Sequence, residues 1–183
     1  MRLSFYTKKT LAWVNDLPVG GSWGRTLASQ AQKSLRWLWF DGMFASASDN
    51  IILNFVSLYL LALGGSEVQV GLMSSFSSFF GALMLILGAA IAERNGRHTE
   101  IAVFAGGICG RFALLLLVFV PMFFKGAALV WVAILLAVVR DGCGNLGYPA
   151  WVSVLNDTVP IEGRGRYFGA RNFVMNISGI LAT

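Results

Sequence analysis

Residues Val68–Ala92 read VQVGLMSSFSSFFGALMLILGAAIA, a run without one Asp, Glu, Lys or Arg. At 1.5 Å per residue a helix of that length measures roughly 37 Å, enough to cross a hydrocarbon layer of about 30 Å. A barrel strand would need only ~10 residues and would alternate apolar with polar. Inside lipid every backbone N–H and C=O must be satisfied within its own segment, so the run is a helix. Similar runs lie at residues 37–63, 101–124 and 127–148, and a shorter one occupies 168–183. Composition agrees: 56% of the 183 residues are apolar, 13% are charged, and the mean hydropathy is +0.68. Soluble domains carry about 25% charged residues, and disorder requires low hydrophobicity, so both classes are excluded. Two cysteines make no disulfide framework. The fold class is an all-α integral membrane protein. The run at 168–183 is short of a full crossing, which predicts a fifth helix cut off by the end of the chain and a sequence that is part of a longer protein.

The basic residues predict orientation. Residues 1–36, before the first helix, carry Arg2, Lys8, Lys9, Arg25, Lys33 and Arg36. The second-to-third connection has Arg94 and Arg97, and the fourth-to-fifth region has Arg164, Arg166 and Arg171. These eleven share one side of the membrane, against Lys125 alone on the other. The positive-inside rule then places the N-terminus in the cytoplasm of an inner membrane. The net charge of +5 follows from this topology and from anionic lipid at the inner face, and gives no ground for nucleic acid as a partner. Asn15, Asp16, Pro18 and Gly20-Gly21 interrupt the N-terminal region, so it is no signal peptide. It is read as a loose cytoplasmic tail, with a short interfacial helix over 23–37 capped by Ser22 as the alternative.

Polar groups inside the spans carry the functional information. Asp49 lies near the middle of the first helix, Arg111 of the third, and Arg140 and Asp141 past the middle of the fourth. Each unpaired charge costs ~2.5–3.5 kcal/mol at the bilayer centre, roughly 10–14 kcal/mol for four. Two carboxylates and two guanidinium groups can cancel, so pairing across helices is expected. Ser46, Asn50, Asn54 and Ser57 share one face of the first helix, with Asp49 beside it. Such a stripe either lines an aqueous cavity or bonds another helix, and two asparagines favour the cavity. Ala102, Gly106 and Gly110 recur every four residues, which lets helices approach closely. Cys109 and Cys143 read as small buried hydrophobes. His98 is the lone histidine and cannot build a metal site by itself. No nucleophile elbow, phosphate loop or Cys-x-x-Cys pair occurs, so neither an enzyme nor a cofactor is predicted.

The second-to-third connection, Ala89-Ala90-Ile91-Ala92-Glu93-Arg94-Asn95-Gly96-Arg97-His98, resembles the signature loop of the major facilitator superfamily, Gly-x-Leu-Ala-Asp-Arg-x-Gly-Arg-Arg/Lys. Arg94, Gly96 and Arg97 match outright, and Glu93 stands for the family Asp. Read without the family, the same residues form a basic turn closed by Gly96 in a left-handed conformation. Arg140-Asp141-Gly142-Cys143-Gly144 is similar to the antiporter motif Arg-x-x-Gln-Gly at Arg140 and Gly144 only. Pro160 to Arg166 resembles the family's Pro-x-x-x-Arg-Gly. The resemblance implies a partial N-terminal bundle of a major-facilitator-like fold. It implies a secondary active transporter that moves a small solute by alternating access, with a proton as candidate coupling ion. It makes Asp49, Asn50, Asn54 and Arg140 candidates for the substrate or proton pathway. Arg111 and Asp141 become candidates for structural ion pairs, and Glu93, Arg94, Gly96 and Arg97 a cytoplasmic gating loop. The implied partners are the solute, the lipid bilayer and the missing remainder of the transporter. A truncated fragment without transport, or a small helical protein assembling with a partner, are the alternatives.

Overall fold

The computed structural model describes residues 15–183, so Arg2, Lys8 and Lys9 lie outside the described residues. Five long helices follow in order: α1 Ser29–Ala62, α2 Glu67–Asn95, α3 His98–Phe123, α4 Ala127–Thr158 and α5 Arg164–Ala182. Among the described residues, α1, α2 to Arg94, α3 and α4 are long and apolar enough to cross a membrane. Large apolar side chains cover their outsides: Leu53 is 71% exposed, Phe79 74% and Phe104 72%. Water would not tolerate so many, whereas acyl chains welcome them.

Sequence chemistry sets the helix ends. Ser66 opens α2 with a capping box: its hydroxyl accepts from Gln69 N–H at 3.3 Å while Gln69 Oε1 accepts from Ser66 N–H at 2.8 Å. Gly96 closes α2 in the left-handed region at φ 63°, its N–H donating to the Ala92 carbonyl. Two boundaries differ from hydropathy. α1 starts at Ser29, well before Trp37, because Gln30 to Arg36 are good helix formers though polar. α4 runs ten residues past Tyr148, straight through Pro149, since packed membrane helices absorb an internal proline. α3 contains a π-helical stretch, Ala102–Cys109.

The chain divides into two compact units, Met1–Asn54 with Asn156–Thr183, and Phe55–Leu155. The first is built around α5. Tyr167 is fully buried, and its hydroxyl donates to the Leu35 carbonyl of α1 at 2.9 Å. Leu35, Val159 and Tyr167 form a core lined by Trp23, Leu27, Leu38 and Phe168. Residues 15–28, just before α1, are therefore no loose tail. Two 3-10 turns, Leu17–Val19 and Gly21–Thr26, dock them on α5 and on the turn Ile161–Gly163. Val19 is 1% exposed, and Trp23 lies flat against Gly163 where a Cβ would overlap its indole. Gly20 takes φ 80° against the Tyr167 backbone. Trp23 is spent in this turn, so the alternative interfacial helix over 23–37 does not form as such either. Both expectations missed that the apolar anchors Val19 and Trp23 have a receptor far along the chain.

Arg25 holds this strap with a two-pronged grip on Asp16: Nε donates to Oδ1 at 2.7 Å and Nη2 to Oδ2. That hydrogen bonding keeps the Asp16 carboxyl below its ordinary range, with added help from the charges of Arg25 and Arg36. A depressed carboxyl pKa stabilises the docked state above the unfolded value of about 4, and the benefit is lost as pH falls through the folded value. Asp16→Asn is expected to raise the rate of proteolysis within residues 16–28 a few-fold at pH 7. As pH falls through the lowered Asp16 value, wild type and variant should become equally sensitive.

The second unit packs α2, α3 and α4 through glycines. Leu60, Met73, Val130, Ala133, Ile134 and Ala137 form its apolar core. Tyr59 Oη donates to the Leu117 carbonyl at 3.0 Å. Gly88 of α2 sits on the Leu146 backbone, and Phe80 covers Gly142. The expected stripe on α3 does pack: Gly106 meets Gly147, and Gly110 rests 3.5 Å (from its would-be Cβ) from the Arg140 carbonyl. Lipid offers no hydrophobic drive between helices, so this backbone approach is what holds them. The reading of the cysteines is corrected. Cys109 is exposed rather than buried, and its sulfur is bonded to that of Cys143 across α3 and α4. Residues 34 apart on different helices leave no spacing signal for such a pair.

Candidate transport groups and the gating loop

Within the first unit, the polar stripe of α1 faces α5. Ser46 Oγ donates to the Met175 carbonyl at 2.8 Å, and Ser178 Oγ returns the favour to the Met43 carbonyl at 2.8 Å. Asn50 Nδ2 donates to the Ser46 carbonyl at 2.8 Å and covers Gly179. Ser46 and Asn50 thus knit two helices, the option that the two asparagines had argued against. Asn54 is exposed, its Nδ2 turned back to the Asn50 carbonyl at 2.8 Å, and Asp49 is exposed beside it. An apolar groove of about 300 Å³ also runs between α1 and α5, lined by Met43, Val174, Ile177, Ser178, Leu181 and Ala182. It contains no ionisable group.

The second unit holds the other intramembrane charges. Arg140 Nη1 donates to Asp141 Oδ1 at 2.7 Å, a pair between neighbours on one helix. Both side chains keep some exposure, 20% and 33%. Asn145 Nδ2 donates to the Asp141 carbonyl at 2.9 Å and fills the space above Gly81. Arg111 is exposed on α3 and forms no ion pair among the described residues. Its expected structural pairing is therefore not found there.

Glu93, Arg94, Gly96 and Arg97 are all exposed. Arg97 reaches Glu100 at 3.4 Å with both side chains over 70% exposed, a contact worth at most about 1 kcal/mol. The loop is thus held mainly by the Gly96 cap, and its carboxylate and guanidinium groups stay available to an outside surface. Arg164, the arginine of Pro-x-x-x-Arg-Gly, donates to the Asn156 and Val159 carbonyls at 3.0 and 3.3 Å. It caps the open end of α4, where a cation also suits the helix dipole. Among the described residues no cluster of His, Cys, Asp or Glu could hold a metal.

A model of the Major Facilitator Superfamily matches residues 6–183. The chain belongs to this superfamily. No curated protein and no solved structure matches it. The protein is thus a multi-pass membrane transporter of the major facilitator kind, a family that moves small molecules and is not enzymatic. Two groups of this transporter escaped sequence reasoning. Arg171 is only 4% exposed although charged, and Asn145 packs on Gly81. An arginine inside a helix that is otherwise mostly uncharged after Arg166 was the available signal for the first.

Proposed function

We propose that the protein is a secondary active transporter that carries a small solute by alternating access, with a proton as coupling ion and the N-terminus in the cytoplasm of the inner membrane. The family match carries this reading. Asp49 and Arg140 support the coupling part, because ionisable groups at bilayer depth are retained chiefly for ion or substrate pathways. Asp49 is the proton carrier in this scheme: a carboxylate at bilayer depth can take up a proton on one side and release it on the other as the pathway opens to each in turn. Arg140, held by Asp141, presents positive charge to an anionic part of the solute, and Asn54 adds an amide for hydrogen bonding. Asn50 belongs to the same stripe and positions α1 on α5. Glu93, Arg94, Gly96 and Arg97 act as the cytoplasmic gating loop. The basic residues of the preceding segment and of both loops on that side support the orientation.

The test is uptake into proteoliposomes by the protein expressed from its own gene, using a panel of labelled sugars, organic acids and amines under an imposed proton gradient. Wild type is expected to show saturable uptake of one class, accelerated by an acid exterior. Asp49→Asn should retain solute exchange without a gradient and lose the acceleration. An Asp49→Asn profile with unchanged pH dependence removes Asp49 from the proton pathway.

A further inference from the structure

Cys109 and Cys143 are the chain's two cysteines, and the structure joins their sulfurs with the Cα atoms 6.0 Å apart. That spacing is within the range a disulfide bridges without backbone movement. It is fixed independently of the sulfurs, by Gly106 against Gly147 and Gly110 against the Arg140 carbonyl on either side. The pair is therefore poised whether its state is dithiol or disulfide. Its location is unusual for either state. Cys109 is the twelfth residue of the span His98–Phe123, about 16 Å from its start, well inside the hydrocarbon. It is also exposed; its exposed neighbours on α3 are the apolar Ile108 and Phe112, and Arg111, two positions on and turned to another side of the helix. The surface that gives access to the sulfur is one that acyl chains wet. Water-borne thiol reagents such as glutathione carry charges that this depth excludes.

We propose that Cys109 and Cys143 form a redox modification site addressed from the lipid phase, with an organic hydroperoxide dissolved in the bilayer as its oxidant. Cys109 attacks the peroxide O–O bond, giving Cys109 sulfenic acid and the corresponding alcohol. The Cys143 thiol then displaces the sulfenic oxygen as water, and the S–S bond forms. One hydroperoxide accepts two electrons and leaves as alcohol plus water, so the step balances. The closed bond ties α3 to α4 and makes their contact sensitive to lipid oxidation.

The experiment uses the full chain in lipid nanodiscs, reduced with tributylphosphine and freed of it. Samples receive cumene hydroperoxide or glutathione disulfide, are denatured, alkylated with a maleimide and weighed intact. Cumene hydroperoxide is expected to remove both alkylation sites together, leaving each molecule two hydrogens lighter, at least about tenfold faster than glutathione disulfide does. In Cys143→Ser the same oxidant should yield a dimedone-reactive sulfenic acid at Cys109 and no disulfide; Cys143→Ala serves equally if the serine variant folds poorly. Two alkylatable thiols persisting in wild type after cumene hydroperoxide overturn the site. Closure by glutathione disulfide at an equal rate, or a glutathione adduct on Cys109, overturns its access from lipid.

Discussion

Gly147→Val is expected to leave little or no folded protein in the membrane, whereas Gly144→Ala, three residues earlier on the same helix, should be neutral or mildly stabilising. A Cβ on Gly147 would fall 2.8 Å from the Gly106 Cα and 3.4 Å from the Ala102 carbonyl oxygen. Those are backbone atoms and cannot swing aside as a side-chain tip would. α3 would have to withdraw from α4, giving up the dispersion that replaces the hydrophobic effect between membrane helices. Overpacking costs about 1–3 kcal/mol where a site can relax, and a branched residue between two backbones lies at or beyond the upper end. A Cβ on Gly144 meets nothing within 4 Å, so alanine there shows only its helix-propensity advantage, up to about 1 kcal/mol. The yield of monodisperse protein in mild detergent and its melting temperature decide the matter. A Gly147→Val protein melting within a few degrees of wild type would mean that α3 and α4 do not touch at this point. The same variant moves Cys109 from Cys143, so its sulfurs should also cease to pair.

The contrast between these two glycines marks what the sequence could and could not convey. The spans were legible because a predominance of apolar residues over twenty or more positions is a property of a single segment. The Ala102-Gly106-Gly110 stripe was legible as a packing face for the same reason: its spacing lies within one helix. Its receptor, Gly147, was not, because α4 also offers Gly142 and Gly144 and nothing in their order says which meets α3. Gly96 was read as a left-handed turn and has that conformation, since the signal again is local. The stripe Ser46–Asn50 shows the limit more sharply. Its face was readable, but whether that face meets water or α5 depends on Met175 and Gly179, over a hundred residues away. The docked strap fails in the same manner: Val19 and Trp23 look like stray apolar residues until Tyr167 and Gly163 are placed beside them. Family motifs supplied part of what local patterns lacked, because Arg94, Gly96 and Arg97 carry the position of the loop within a bundle. They said nothing of the cysteine pair.

Arg171→Ala is expected to cost about 3 kcal/mol, and Gly42→Ala to be harmful only while Arg171 is present. The Arg171 side chain lies across α1, with Nε donating to the Leu38 carbonyl at 3.3 Å and the residue only 4% exposed. Hydrogen bonds from charged groups are worth about 1.5–3 kcal/mol, and the aliphatic stem adds packing that alanine forfeits. The guanidinium fits because residue 42 has no side chain: a Cβ there would lie 2.6–2.7 Å from Nη2, Cζ and Nε. In the wild-type background Gly42→Ala gains up to about 1 kcal/mol of helix propensity but must push that group off its carbonyl. With Arg171 truncated the space is vacant, and only the propensity gain remains. A double-mutant cycle by thermal unfolding should therefore give a coupling of roughly 1–2 kcal/mol, with the sign of Gly42→Ala reversing between backgrounds. Additivity within about 0.5 kcal/mol would show that the guanidinium does not rest on Gly42. Because Tyr167 donates to the Leu35 carbonyl one turn earlier, loss of Arg171 should also loosen the strap that docks on Tyr167. Proteolysis within residues 16–28 should then rise in Arg171→Ala but not in Gly144→Ala, which separates a local effect on this unit from a general loss of stability.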